Sequence, residues 1–148
     1  SSYLTQAARP HRIAIFSEPL RPAPNANIMA NLARWEGQIA IPSIVWHELW
    51  FGCQRLAVSV KRTAIERYLT EVVQPSMPIL PYDAAAAQWH AAERVRLTAA
   101  GTTPAFADGQ IAAIAATTRL TLVTINVTDF TGFSTIQVVN WQQPAVSM

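Results

Sequence analysis

Short apolar runs that alternate with helical segments constrain this chain more than any other feature. The runs are rich in Ile, Leu and Val and are too short to be helices, so they predict buried strands. Alternation of this kind is typical of an α/β fold, in which helices flank a short, mostly parallel central sheet. The predicted strands are Ile13–Phe16, Ile39–Ile41, Ile79–Leu80, Leu120–Ile125 and Ile136–Val139.

The segment from Thr103 to Ala116 is predicted to form an apolar helix in which Asp108 is the only ionisable residue. Thr103 is expected to cap this helix and Pro104 to occupy its first position. Asp108 then has two readings: it favours the helix dipole or meets water in the first turn, or it points into a cleft to hold a metal ion. Further helices are predicted after the caps Asn25, Ser43 and Asp83, over Ala57–Val73, and over Ala84–Ala100.

Three more polar side chains lie at element ends that an α/β fold places on one edge of its sheet. Glu48 lies in the first turns of a helix that follows a strand, and Asn126 and Asp129 follow the strongest predicted strand. Together with Asp108 they form an oxygen donor set that suits Mg²⁺ or Mn²⁺. Such an ion can activate water and stabilise charge on a phosphodiester. Each acid could instead lie on a solvated face, and Glu48 could pair with Arg55.

Composition limits the classes of protein that need to be considered. The chain has 148 residues, of which 51% are hydrophobic and 14% charged, as expected for a single globular domain over residues 1–148. Its net charge of +2 permits an anionic partner without requiring one. Cys53 is the only cysteine, so we expect a reducing compartment, the cytoplasm. No apolar run approaches the ~20 residues of a membrane span, so we expect no membrane association.

Four stretches of this sequence together form a specific combination. They are Ser17-Glu18-Pro19-Leu20-Arg21-Pro22, Ile41 to Leu49, Phe106 to Ala113, and Leu122 to Phe130. In this combination the chain resembles the PIN-domain family, and within it the VapC-type (FitB-like) toxins of bacterial type II toxin–antitoxin modules. The order and spacing of the stretches fit the family from about residue 15 to residue 141.

The resemblance implies an α/β PIN fold, a divalent-metal site holding Mg²⁺ or Mn²⁺, and endoribonuclease activity restrained by a cognate antitoxin. By position, Glu48 matches the helix glutamate of the metal site, and Asp108 matches the central metal-ligand aspartate. The family's fourth acid falls on Asn126, with Asp129 as a nearby acid that compensates for it. Thr124 occupies a small hydroxyl position lining the same site. The implied catalytic residues are thus Glu48, Asp108, Asn126 and Asp129, and the implied metal ligands are Asp108, Glu48 and Asp129.

One position departs from the family pattern. The family begins with a strand ending in Asp-Thr-Asn, and the count from Ser17 places that metal-ligand Asp at Arg12 and the Asn at Ala14. A guanidinium at a ligand position opposes metal binding by direct repulsion. Three explanations stay open: the site is weakened, another acid replaces the lost ligand, or the residues before Ile15 come from a shifted reading frame.

Among the possible functions, the sequence therefore favours a metal-dependent ribonuclease. A catalytically impaired PIN-fold protein, which dimerises and binds an antitoxin without hydrolysing RNA, is the alternative. An unrelated α/β protein with surface acids is a third reading.

The helix around Trp46 carries more aromatic side chains than one buried face needs. Trp46, Trp50 and Phe51 predict either a partner surface, for a homodimer mate or an antitoxin segment, or a core helix buried on several sides. Cys53 is read as a small buried hydrophobe and not as a nucleophile. His47, beside Glu48, is read as a residue at the cleft rim without a catalytic role.

Overall fold

The computed structural model describes residues 2–6 and 26–141. The predicted first strand Ile13–Phe16, Arg12 and the Ser17 to Pro22 stretch lie outside the described residues. The described strands are β1 (Ser2–Gln6), β2 (Ile41–Pro42), β3 (Ile79–Leu80), β4 (Leu120–Thr124) and β5 (Val138–Val139). The helices are α1 (Ala26–Arg34), α2 (Ser43–Gln54), α3 (Val60–Tyr68), α4 (Gln74–Ser76), α5 (Ala84–Ala99) and α6 (Phe106–Thr118), with a π-helical turn at Leu69–Val73 and a 3-10 turn at Val127–Phe130.

The strands form two small sheets with mixed pairing. β4 pairs in parallel with β5, where Leu122 is opposite Val138, and β2 pairs in parallel with β3. β1 joins the other edge of β4 in antiparallel orientation, with Leu4 opposite Leu122. The prediction of a mostly parallel α/β sheet is confirmed. The antiparallel β1 was not predicted, because Ser1 to Arg12 shows no clear period.

The core is built around α6 and β4. Ala112, Ala113 and Ile114 of α6 and Leu122 and Val123 of β4 are fully buried. The small side chains of α6 leave room for β4 on one side and for α5 on another. The polar element ends of α6 and β4 are therefore held by the best-packed part of the molecule.

Several helix ends differ from the predictions. Thr103 does not cap α6, which begins at Phe106, because Ala105 remains extended with ψ near 140° and excludes Pro104 from the helix. Ser43 is the first residue of α2 and not its cap. The segment predicted as one helix from Ala57 begins at Val60 and ends in the π-helical turn. Asp83 caps α5 as predicted, accepting a hydrogen bond from the Ala86 backbone N–H at 2.9 Å.

The aromatic residues of α2 divide between core and surface. Trp46 and Trp50 are half-buried, pack against the core, and meet edge to face at 5.9 Å. Phe51 is exposed, and Cys53 is buried as predicted. Burial raises the pKa of the Cys53 thiol, which keeps it protonated and unreactive. Among the described helices, none is long and apolar enough to cross a bilayer.

Candidate metal site

Asp108 lies in the first turn of α6, as its third residue. Within the described residues no side chain caps this helix, and the extended Ala105 provides the carbonyl that accepts the Gly109 N–H at 3.1 Å. The Asp108 side chain is half-buried. A negative charge at this end of a helix is favoured by the macrodipole.

Glu48, Asp129 and Asn126 reach the surface from two other elements. Glu48 is exposed on α2, which follows β2 directly. Asp129 and Asn126 are exposed in and beside the 3-10 turn that follows β4. Thr124, at the end of β4, is completely buried, and its hydroxyl accepts the Asn126 N–H at 3.0 Å. Thr124 therefore fixes the start of this loop.

The structure brings the three carboxylates of the predicted metal site into one electrostatic neighbourhood. Burial raises the pKa of Asp108, and the negative charges of Asp129 and then Glu48 raise it further. An effect of both charges on Asp108 is what a shared site predicts. Across the described residues, none of the three accepts a side-chain hydrogen bond or forms an ion pair.

These residues fit a hard dication in donor chemistry and in charge. Within residues 2–6 and 26–141, however, no three His, Cys, Asp or Glu side chains stand close enough together to hold one ion as they are. Glu48 and Asp129 are exposed, so rotation of their side chains costs little packing energy. The three carboxylates are thus suitable ligands for a dication, but as they stand they do not surround a single ion.

A buried histidine that sequence reasoning missed supports the helix of Asp108. The His90 Nδ1 lies 2.9 Å from the Tyr82 hydroxyl, and its ring packs on Phe106 at 4.8 Å. A Cβ atom on Gly109 would lie only 2.7 and 2.9 Å from two ring carbons of His90. Burial and then the nearby Arg94 lower the pKa of His90, so the imidazole is neutral at pH 7. The available sequence signal was a glycine inside an apolar helix.

A buried carboxylate on α5 was also missed. Glu93 is 7% exposed and accepts hydrogen bonds from the Arg96 Nε and Nη2 at 2.8 and 2.9 Å. It also accepts the backbone N–H and the hydroxyl of Ser134 at 2.7 and 2.8 Å. Only the Glu93–Arg96 spacing was visible in the sequence, where it suggests an ordinary helix-surface pair.

The Glu93 cluster is expected to make stability depend on acid pH. The Arg96 hydrogen bonds lower the pKa of Glu93 from 4.5 to about 2. Because the folded-state pKa is the lower one, the stabilisation is complete above pH 4.5 and is lost as pH falls towards about 2. It amounts to less than about 3 kcal/mol, because water around the half-exposed Arg96 screens part of the interaction. Urea unfolding between pH 5 and pH 2 should show a flatter pH dependence for Glu93→Gln than for the unmodified protein. Glu66→Gln, in the Arg62–Glu66 pair of α3, should keep the original slope.

The family model that describes the PIN domain matches residues 13–130. The chain belongs to the PIN-domain family. The match begins one residue after Arg12, so Arg12 lies just outside it and Ala14 lies within it.

Solved structures place this PIN domain near the VapC and FitB proteins. The FitAcB crystal structure from Neisseria gonorrhoeae is 31% identical, with a TM-score of 0.79 over 86% of this chain and 93% of that one. A FitAB structure bound to an IR36 DNA fragment is 27% identical, with a TM-score of 0.82 over 90% and 95%. VapBC2 from Rickettsia felis, bound to a DNA fragment from its promoter, is 25% identical, with a TM-score of 0.73 over 86% and 93%. A comparison with curated proteins yields no match. This PIN domain is therefore VapC/FitB-like.

Proposed function

We propose that this PIN domain is a metal-dependent endoribonuclease and the toxin of a toxin–antitoxin pair. The observation that carries the proposal is the half-buried Asp108, whose charge is opposed by those of Asp129 and Glu48. Repelling carboxylates cost stability unless a cation compensates them, so their convergence favours a cation-binding role. Asp129 lies beyond β4, Asp108 lies at the start of α6, and Glu48 lies on α2 just after β2, all of them beyond strand ends, where α/β folds place their sites.

Asp108, Glu48 and Asp129 would hold Mg²⁺ or Mn²⁺. A bound ion of this kind supplies an activated water and stabilises the charge on an RNA phosphodiester. Asp108 is the least exposed of the three and sits on the best-packed helix, so it would anchor the site. The Asn126 amide can orient a water or a phosphate oxygen, and Thr124 holds the loop in place for it.

Cleavage of structured RNAs by the purified chain tests the proposal. Activity should appear with Mg²⁺ or Mn²⁺, disappear with a chelator, and return when the metal is added in excess. Cleavage that is equally fast in the chelator would contradict metal dependence. A complete lack of cleavage under all metals would favour the alternative function below.

An antitoxin is the proposed protein partner. One of the solved structures similar to this chain is VapBC-5 from Mycobacterium tuberculosis, a member of the VapBC family of toxin–antitoxin systems. Carboxylates that form no ion pair among the described residues suit a basic side chain of such a partner. Co-expression with the neighbouring small open reading frame should give a complex that co-purifies. With Cys53 buried and no other cysteine in the chain, we propose the cytoplasm as its location.

A PIN-fold binding protein without hydrolysis is the alternative function. It is favoured by the absence, among the described residues, of a closed group of three metal-binding side chains. It is also favoured by Arg12 at the position of the family's first metal-ligand aspartate. Such a protein would co-purify with its antitoxin and leave RNA intact.

Replacing Arg12 with Asp and Ala14 with Asn is expected to raise the affinity for Mn²⁺ about tenfold or more. The change removes a permanent cation and supplies a carboxylate, provided that Ile13–Phe16 forms the family's first strand. Isothermal titration with Mn²⁺ measures the effect. An Arg9→Asp/Ala14→Asn variant controls for net charge. Equal affinities in all three proteins would show that position 12 does not reach the site.

We propose a homodimer, and the surface available for it lies on α5 as well as on α2. Ala91, Val95 and Ala99 form an exposed stripe at i, i+4 and i+8, and Val95 is 72% exposed. Small residues at this spacing allow two helices to approach closely. Sedimentation at tens of micromolar should show a dimer, and Val95→Glu should give a monomer. A monomeric unmodified protein at that concentration would contradict the proposal.

A further inference from the structure

The hydrogen bonds within the loop that carries Asp129 are short-range. Asp129 is exposed, and its backbone N–H donates to the Asn126 carbonyl at 3.1 Å within the same 3-10 turn. After Phe130 the chain runs as turns and bends until β5 begins at Val138. Two further bonds within the loop join the Phe133 N–H to the Phe130 carbonyl at 3.3 Å and the Thr131 hydroxyl to the Thr128 carbonyl at 3.1 Å. Such local bonds shape the turns, and the orientation of the loop on the domain depends on its contacts with other elements.

Glu93 and Arg96 of α5 supply that attachment. Glu93 accepts two hydrogen bonds from Ser134, from the backbone N–H and the hydroxyl. Arg96 lies in a bidentate pair with Glu93, and its Nη2 also donates to the Gly132 carbonyl at 2.8 Å. The pair thus hydrogen-bonds to the loop at two residues, which lie three and five positions after Asp129. Charge-assisted bonds to a buried carboxylate are among the strongest that side chains form.

Packing and backbone conformation show that the loop is held firmly. Phe130 and Phe133 are buried, and Phe133 lies 6.2 Å from the Trp89 ring of α5. Thr135, directly after the gripped Ser134, has φ of 62°. A β-branched residue adopts this left-handed conformation only when its surroundings impose it.

We propose that Glu93 is a positioning residue of the candidate metal site: through Arg96 and Ser134 it fixes the loop that presents Asp129 to Asp108. The inference rests on the proposed function for the role of Asp129. It adds that a buried group on α5, outside the three carboxylates, sets the strength of metal binding. The side-chain partners of Glu93 are Arg96 and Ser134, so its influence on the site would be indirect.

A double-mutant cycle on Mn²⁺ affinity tests the proposal. Glu93→Gln keeps the shape of the side chain and loses its charge, so it should weaken Mn²⁺ binding about tenfold, as loss of a supporting residue typically does. Asp129→Asn should weaken binding by at least as much. If Glu93 acts through Asp129, the double variant should bind Mn²⁺ no more weakly than Asp129→Asn alone. Glu66→Gln, whose ion pair with Arg62 lies within α3, should leave the affinity unchanged.

Fully additive losses would overturn the proposal, because they would mean that Glu93 affects the site by another route. Amide hydrogen exchange gives a readout that does not depend on metal. Glu93→Gln should accelerate exchange at Asp129, Phe133 and Ser134, and leave Ala87 near the start of α5 unchanged. Unchanged exchange at Asp129 would also overturn the proposal. If the unmodified protein binds no Mn²⁺, the proposed function fails, while the exchange rates still decide whether Glu93 fixes Asp129.

Discussion

Asp108→Asn is expected to reduce the rate of RNA cleavage at least about 100-fold, the scale on which removal of one charge-stabilising group acts in an active site. Asp108 is the carboxylate on which the charges of both Asp129 and Glu48 act. Asparagine keeps the size of the side chain and removes the negative charge that would hold the ion. Initial rates on one structured RNA, at saturating Mg²⁺ or Mn²⁺, measure the effect.

The same substitution should leave the metal-free fold equally or more stable. A raised pKa means that the charged form of Asp108 is disfavoured in the folded state. The unmodified protein therefore gains stability as pH falls through that pKa, and Asp108→Asn should lose this gain because it is already neutral. Calorimetry across mildly acidic pH measures the difference. Inactivity can then be separated from unfolding.

Asp83→Asn is the matched control for Asp108→Asn. Asp83 caps α5 through the Ala86 N–H, and asparagine caps a helix about as well as aspartate. The control makes the same chemical change outside the site and should cleave RNA at the original rate. Equal activity of the two variants would remove Asp108 from the catalytic set.

Gly109→Ala is expected to destabilise the protein by about 2–3 kcal/mol. The added Cβ would meet the His90 ring at distances that carbon atoms do not adopt, with two ring carbons at 2.7 and 2.9 Å. His90 cannot move away easily, since it is buried and held by Tyr82 and Phe106. Alanine is otherwise the better helix former, so a loss of stability can come only from this contact.

Urea unfolding at pH 7 measures the cost, and Gly52→Ala supplies the contrast. Gly52 lies inside α2, and a Cβ there would meet nothing within 4 Å. That control should gain up to about 1 kcal/mol from helix propensity. The double variant His90→Ala/Gly109→Ala should lose less than the sum of the two single changes, because the shorter side chain vacates the contact. A stable Gly109→Ala protein would mean that α5 and α6 separate at little cost.

The helices and strands of this fold could be predicted from the sequence because the burial of one face gives each of them a periodic pattern of apolar residues. β3, β4 and the helices α2, α5 and α6 appear where apolar periodicity predicts them. Their ends were less predictable, since an end depends on single backbone angles. Thr103 has the right chemistry for a cap, but the extended Ala105 delays α6 until Phe106.

In the candidate site, too, some residues were predictable from the sequence and others were not. Strand ends and family resemblance predict a grouping of Glu48, Asp108 and Asp129, and the charges of Asp129 and Glu48 do act on Asp108. The groups that support it could not, because Glu93 meets Ser134 across 41 positions of the chain. Likewise, His90 and Gly109 meet only once α5 has packed on α6. Contacts of this kind leave no periodic trace in a single sequence. The roles of the site residues remain predictions.

The small side chains of α6 have a consequence for how this sequence can vary. Ala112, Ala113 and Ala115 are buried to within about 1% of completely, and Gly109 faces a ring that leaves no space for a methyl group. In a saturation mutagenesis library, these plain residues should therefore tolerate fewer replacements than the large exposed ones, such as Val58 or Val60. Along this helix, most intolerant positions would then be intolerant because there is no space for a larger side chain. Only at Asp108 would intolerance reflect a role in the reaction. A map of intolerant positions would overstate the active site unless folding and cleavage were scored separately.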